Sequence, residues 1–264
     1  MTSDDQRRKV DLWTAATLAE PDVYDVAARV STVPDVAVAV VRFANSAHLG
    51  AVYPVGTVLE AVIRVGCRGA GALAMASLNR DLVDAWGVSE TWEDTLVVAR
   101  AAKLVGRLNG LPRLECELLF VAGLFSAAGS AALGARDEGF AGWRRQQLLR
   151  GLTDRDLLSR EEMAYGETHV TAAASLLEDW NMPAYVVSTI ALHHAPVSPA
   201  ERSLWAAMTA LDDSSPVRCL RTTLTEALQT LGLGDHVRFV DAEARLFAEV
   251  AGHALDTGSE RATA

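Results

Sequence analysis

The chain has 264 residues, half of them apolar, and a formal net charge of -10. That length allows a large core and a second lobe, and the acidity argues against a general phosphate-binding surface, so nucleic acid is not an expected partner. Three cysteines, Cys67, Cys116 and Cys219, lack CxxC or CxxH spacing, which argues against a zinc knuckle and suits reduced thiols in a cytosol.

The first residues, MTSDDQRRKVDLW, hold no apolar stretch of signal-peptide length. No uninterrupted apolar run approaches the ~18 residues of a bilayer span, so no membrane association is expected and the chain is read as cytoplasmic. The first clear helix opens at Pro34, where a missing N–H is harmless, and carries Val36, Val40, Val41, Phe43 and Ala44. Asn45 and Ser46 interrupt it, and Gly50 with Tyr53–Pro54 marks a loop. Thr57 and Glu60 have capping-box spacing for a helix that runs to Val65 and stops at Gly66. A small-residue helix follows over about 69–79. Ser89 is expected to cap a long helix that ends at Asn109-Gly110-Leu111-Pro112, the best internal boundary.

Beyond that boundary an apolar helix is expected from Leu114 to Leu133, then two shorter helices around Gly151. Glu167 to Trp180 reads as a helix with Val170, Ala173, Ala174 and Leu177 on one face. Pro183 starts the next, ending at His194-Ala195-Pro196, and Ser198 or Pro199 starts another to about Leu211. Two more are expected over about 216–231 and 237–255, with the last nine residues frayed. No β alternation of useful length and no internal repeat appear.

Few residues carry recognisable chemistry. His169, His193 and His194 lie within 26 residues of one another. Neighbours on a helix diverge by about 100°, so His193 and His194 reach a common metal only where the helix frays. The structural alternative has one histidine capping a helix C-terminus and another packed at a helix junction. The Gly66–Gly71 cluster lacks the strand and the Lys-Ser/Thr pair of a phosphate loop and reads as a tight helix–helix turn. No GxSxG or base-paired nucleophile is present. The arginines 136, 144, 145, 150, 155 and 160 alternate with acids and read as a solvated, salt-bridged face.

Three segments together resemble the HDOD family, the non-catalytic relatives of HD-domain phosphohydrolases. They are Pro34 to Ala47 with its Asn45-Ser46-Ala47 ending and the following 54–66 stretch, Tyr165 to His169 leading to Trp180 and Pro183, and Ile190 to Pro196 with His193-His194. The resemblance covers roughly residues 20–215. It implies an all-α, two-lobed domain: an N-terminal helical bundle, taken as 1–110, and an HD-like helical lobe, taken as 111–264. It also implies a role in bacterial signal transduction. One departure stands out. Ala122 to Gly129 matches a family segment that often reads Ala-Gly-Leu-Leu-His-Asp-Ile-Gly, so Ser126-Ala127 replace His-Asp. In HD hydrolases that doublet holds the metal that generates the attacking hydroxide.

The expected function is therefore a non-enzymatic regulator that works by protein–protein contact, with no catalytic residue, no metal and no cofactor. The alternatives are a nucleotide or cyclic-dinucleotide binder and a residual metal-dependent phosphohydrolase. Asn45 and Ser46 are expected to cap a helix and dock the next loop, or else to line a ligand cleft with His169, His193 and His194. Expected partners are a signalling protein, a nucleotide second messenger, or a second copy of the chain as a homodimer.

Overall fold

A computed structural model describes residues 3–46, 49, 53–85, 92–150, 152, 154–180, 182–210 and 223–255. The expectations placed on Ala47, Gly50, Ser89, Gly151, Asn181, Leu211, Pro216, Cys219 and 256–264 lie outside these residues. Among the described residues the structure is helical and contains no strand. It divides into two compact units, Met1–Asp81 with Leu246–Ala264, and Leu82–Arg245.

In the first unit, α1 (Ser3–Ala16) and α2 (Val23–Ser31) precede the first helix read from the sequence. They were not anticipated, because the charged Asp4 to Lys9 run hides the buried stripe of Leu12, Trp13, Ala15 and Ala16. Helix α3 (Pro34–Ala44) begins on Pro34 as expected and buries Val36, Ala39, Val40, Phe43 and Ala44. Asn45 ends it and docks the loop beyond: its amide donates to the Val55 carbonyl at 2.9 Å and its oxygen accepts from the Val55 N–H at 2.8 Å. The Ser46 hydroxyl bonds the Phe43 carbonyl at 2.7 Å. These bonds use both groups structurally.

Helix α4 (Val58–Val65) carries the full Thr57–Glu60 capping box. Gly66, at φ 83°, ends it. The chain turns there through 104° into Cys67–Asp81, the opening of α5 (Cys67–Ala85). This is the tight turn the glycine cluster indicated.

A buried lysine ties the first unit together. Lys9 is only 1% exposed, and its ammonium meets Asp81 at 2.6 Å, Asp35 at 2.8 Å and Asp5 at 3.4 Å. It also donates to the Ser77 hydroxyl at 3.0 Å. Helices α1, α3 and α5 thus share one charge.

The second unit holds α6 (Trp92–Leu108), α7 (Arg113–Leu124), α8 (Ala128–Arg136), α9 (Phe140–Leu149), α10 (Asp154–Tyr165), α11 (His169–Asp179), α12 (Ala184–Ala191), α13 (Pro199–Met208), α14 (Leu224–Thr230) and most of α15 (Val237–Leu255). The sequence boundary at 110/111 does not divide the units. Gly110, at φ 75°, does stop α6, with Leu111 N–H bonded to the Gly106 carbonyl and Gly110 N–H to that of Arg107, the Schellman arrangement. The turn, however, folds α7 straight back onto α6. A Cβ on Gly123 would lie 2.5 Å from the Ala99 Cα, and one on Gly106 would lie 2.6 Å from Leu119. The stop signal is that of a helical hairpin, and the units part at 81/82 instead.

The expected Leu114–Leu133 helix is interrupted by a single 3-10 turn, Phe125–Ala127. The stretch Arg113–Arg136 is apolar and long enough to cross a bilayer although polar residues interrupt it; its most apolar 18-residue window is 78% buried inside the protein and serves as core. Ser198 and Thr223 cap α13 and α14 with complete capping boxes. Cys67 and Cys116 carry free thiols, and burial pushes both up from the ordinary thiol value, which makes them poor nucleophiles.

Burial raises both carboxylates around Lys9, but the outcomes differ. Asp35 ends below its ordinary 3.8, because Lys9 and Ser77 both donate to it. Asp81 stays above 3.8, pushed up by burial and by the Asp35 charge despite Lys9. Asp35 thus adds stability above its unfolded value that is lost as pH falls through its lowered one. Asp81 acts with the opposite sign. In thermal melts between about pH 2 and 6, Asp35→Asn should flatten the acid loss of stability and Asp81→Asn should steepen it. Lys9→Met leaves carboxylates that are 38% and 34% open to water and should cost about 1–3 kcal/mol, whereas the Asp35→Asn/Asp81→Asn pair leaves the buried ammonium only Asp5, at 3.4 Å, as a charged partner and should cost about 3–5 kcal/mol. Urea unfolding of the three proteins measures the ordering.

Candidate functional site

The site begins with a buried carboxylate. Glu161, near the end of α10, is 0% exposed. Its Oε2 accepts from the backbone N–H of His169 at 2.9 Å and lies 2.6 Å from that ring's Nδ1. His169 is the first residue of α11, and Thr168 caps that helix. The carboxylate therefore sits on the positive end of α11, where unpaired N–H groups favour an anion. Burial alone would raise Glu161, but the hydrogen bonds from His169 and the nearby Arg144 charge win, and the carboxyl is held below its ordinary value.

Arg144 on α9 stands behind it, with Nε 4.0 Å from the other Glu161 oxygen and Nη1 bonded to the Ser130 hydroxyl. Both Arg144 and Glu161 are buried. This corrects the reading of 136–160 as a solvated face: the two leave it for the interior. Arg136 stays exposed and pairs with Glu167, an acid beyond that run. Phe140, Trp143 and Tyr165 pack edge-to-face and stacked beside them, ring centroids 5.0 to 6.1 Å apart.

The three histidines do converge. Helix α12 ends at Ala191, three residues short of the expected His194, so His193 and His194 lie in the turn beyond it. The fraying that a shared site demands is therefore present. Ring centroids are 4.1 Å apart for His193–His194, 4.9 Å for His169–His194 and 5.7 Å for His169–His193. The Nε2 atoms of His169 and His194 are 2.9 Å apart. His193 Nδ1 lies 2.5 Å from the Ile190 carbonyl and so caps the C-terminus of α12. His169 and His193 are buried and His194 is half-buried.

Ser126 and Ala127 form the 3-10 turn between α7 and α8, both buried. The Ser126 hydroxyl has no hydrogen-bond partner among the described residues. Helix α8 presses on the start of α11: a Cβ on Gly129 would lie 1.7 Å from the His169 carbonyl oxygen. The turn is thus held against the helix that carries His169. It offers one hydroxyl and one methyl there. Asn45 and Ser46 lie in the first unit, with their side chains bonded as described above.

Over residues 9–196, more than half of the chain, the sequence matches the HDOD domain family. The chain belongs to the HDOD family. No curated protein matches it. Three solved structures share the HDOD-type helical fold. An HDOD domain protein of unknown function from Geobacter sulfurreducens superposes with a TM-score of 0.67 at 16% identity, covering 94% of this chain and 91% of that one. A candidate signal transduction protein from Marinobacter aquaeolei gives 0.72 at 22%, covering 95% of this chain but only 58% of that one. A candidate phosphohydrolase from Shewanella amazonensis gives 0.69 at 20%, covering 94% and 93%. At such identities the likeness shows the fold.

Sequence reasoning brought out the histidines but missed Glu161 and Arg144. Neither stands at a recognisable spacing from His169. The available signal was an acid placed just before a capped helix that starts on histidine.

Close packing at Gly129 gives a sharp expectation. Gly129→Ala should push α8 off the first turn of α11 and cost about 3 kcal/mol in denaturant unfolding. Gly134→Ala, in the same helix with nothing within 4 Å of the added methyl, should instead stabilise by about 0.5–1 kcal/mol.

Proposed function

We propose that this HDOD protein is a cytoplasmic, non-enzymatic regulator that acts through contacts with a signalling protein. The observation that carries the reading is the buried Phe125-Ser126-Ala127 turn. Where HD hydrolases place two metal ligands, it provides an alcohol and a methyl, and neither holds a divalent ion in place of imidazole and carboxylate. Family membership supports a regulatory role of the HDOD kind.

The surface of the first unit fits a contact role. Helices α2, α3 and α4 pack on one another, yet each leaves a large apolar or aromatic side chain in water: Tyr24 at 69% exposure, Val38 at 47% and Ile63 at 62%. Exposed single apolar residues are ordinary, so the argument rests on their presence on three adjoining helices that already share a core.

Two measurements test the proposal. Incubated with Mn²⁺, Fe²⁺ or Zn²⁺, the protein should hydrolyse phosphomonoesters and cyclic dinucleotides no faster than its His169→Ala variant; metal-dependent turnover that the variant loses would overturn the non-enzymatic reading. Cross-linking pull-down and size-exclusion chromatography should reveal a signalling partner or self-association. Tyr24→Ser/Ile63→Ser should weaken that contact while changing stability by no more than about 0.5 kcal/mol for each exposed site. A thermal-shift panel separates the nucleotide-binder alternative, since a nucleotide at 100 times its Kd stabilises by about 2.7 kcal/mol.

A further inference from the structure

We propose that His169, His193 and His194 bind a single late first-row divalent cation of the Zn²⁺ class through three imidazole nitrogens. Each ring offers a nitrogen, and the three lie within 4.8 Å of one another. Around a tetrahedral ion with Zn–N bonds of about 2.0–2.1 Å, ligand nitrogens stand about 3.3 Å apart. The 2.9 Å His169–His194 pair must open slightly and the third ring must close in, both within reach of small ring rotations.

The protonation pattern is what singles out these rings. The Glu161 carboxylate faces His169 Nδ1 and only accepts, so Nδ1 carries the proton and Nε2 presents a lone pair. The Ile190 carbonyl likewise only accepts, which leaves His193 Nε2 as that ring's lone-pair nitrogen. Two imidazoles are thus held in the ligating tautomer by acceptors on their far sides. This is the carboxylate–histidine arrangement that orients metal ligands and raises their basicity. In the ion-free state a neutral His169 requires His194 to donate across the 2.9 Å contact. Binding asks His194 to move its proton from Nε2 to the buried Nδ1, with none gained or lost.

The ligand chemistry selects the ion. Three neutral imidazoles suit zinc, copper, nickel or iron, whereas magnesium and calcium demand oxygen ligands. Glu161 places a negative charge one hydrogen bond behind the ion. His194, half-buried, opens the site to solvent while the other two close it. Without the His-Asp doublet no second ion is held, so this is a one-ion site joining α10, α11 and the turn after α12. The inference goes beyond the partner-binding proposal and does not depend on it: cation binding can be found or refuted whatever the pull-down yields.

The experiment uses the full-length, untagged protein after dialysis against a chelator. Isothermal titration with Zn²⁺ and elemental analysis should give one ion per chain. Co²⁺ should develop the intense visible absorption of a four-coordinate site, and Zn²⁺ should raise Tm. His194→Asn, a half-buried position, should abolish the Co²⁺ spectrum and the Tm rise while circular dichroism stays native. Glu161→Gln should weaken Zn²⁺ binding about 10–100-fold. Absence of stoichiometric Zn²⁺ and Co²⁺ binding overturns the proposal, and so does binding that His194→Asn and His169→Gln leave unchanged.

Discussion

The buried carboxylate of Glu161 is the constraint around which the second unit's interior is arranged. A carboxylate with no exposure costs several kcal/mol unless it is paired and hydrogen-bonded. Here two other helices answer it: one oxygen is hydrogen-bonded, while the other has the Arg144 charge at 4.0 Å but no hydrogen bond among the described residues. Helix α11 supplies its first N–H and the His169 ring, and α9 supplies Arg144. Arg144 in turn reaches Ser130 on α8. The register of α8, α9, α10 and α11 is therefore coupled through one charge. A slip of one residue along α10 would leave an unpaired carboxylate inside the protein. Apolar packing among Phe140, Trp143 and Tyr165 tolerates more error than that.

This coupling explains why a histidine cluster can stand beside a turn that has no His-Asp doublet. Two of the three rings have a structural partner outside the cluster. His169 satisfies Glu161, and His193 satisfies a carbonyl at the open end of α12, where the last C=O groups of a helix lack partners. Removing either ring would take one buried hydrogen bond away, although Glu161 keeps the His169 N–H and the Ile190 carbonyl keeps backbone donors. Ser126 and Ala127 have no comparable partners holding them to one chemistry. The Ser126 hydroxyl makes no bond among the described residues, and burying it without one is a modest cost that the surrounding core offsets.

Much of the architecture could be read from the chain. Local chemistry with a short range was the most legible: the Thr57–Glu60 capping box, the Pro34 start, the glycine stops at 66 and 110, and the Ser198 cap all act within a few residues. The convergence of His169 with His193–His194 was legible as a possibility, and the ending of α12 at Ala191 decided it. Interactions between distant residues were not legible. Lys9 meets Asp81 across 72 positions and reads in isolation as one charge in a polar run. Arg144 and Glu161 read as surface charges for the same reason. The Asn109-Gly110 stop was legible as a helix end, but a Schellman turn says that a helix ends and not where the next one packs.

The two buried charge clusters differ in a way that bears on function. Lys9 is enclosed, but its carboxylate partners keep about a third of their surface in water, so that network can titrate at its rim without opening the unit. Glu161 has no such outlet, and its neighbours His169 and Arg144 are buried as well. The half-buried ring of His194 is the member of this group that reaches solvent. His194 stands in the turn after α12. The same turn leads through Pro196 and Val197 into the Ser198 cap of α13, where Glu201 accepts from the Val197 and Ser198 N–H groups at 2.6 and 2.9 Å. Movement of His194 is coupled by four residues of chain to the start of a helix that packs on both α6 and α7. The charge that is hardest to move thus lies next to the turn best placed to transmit a change.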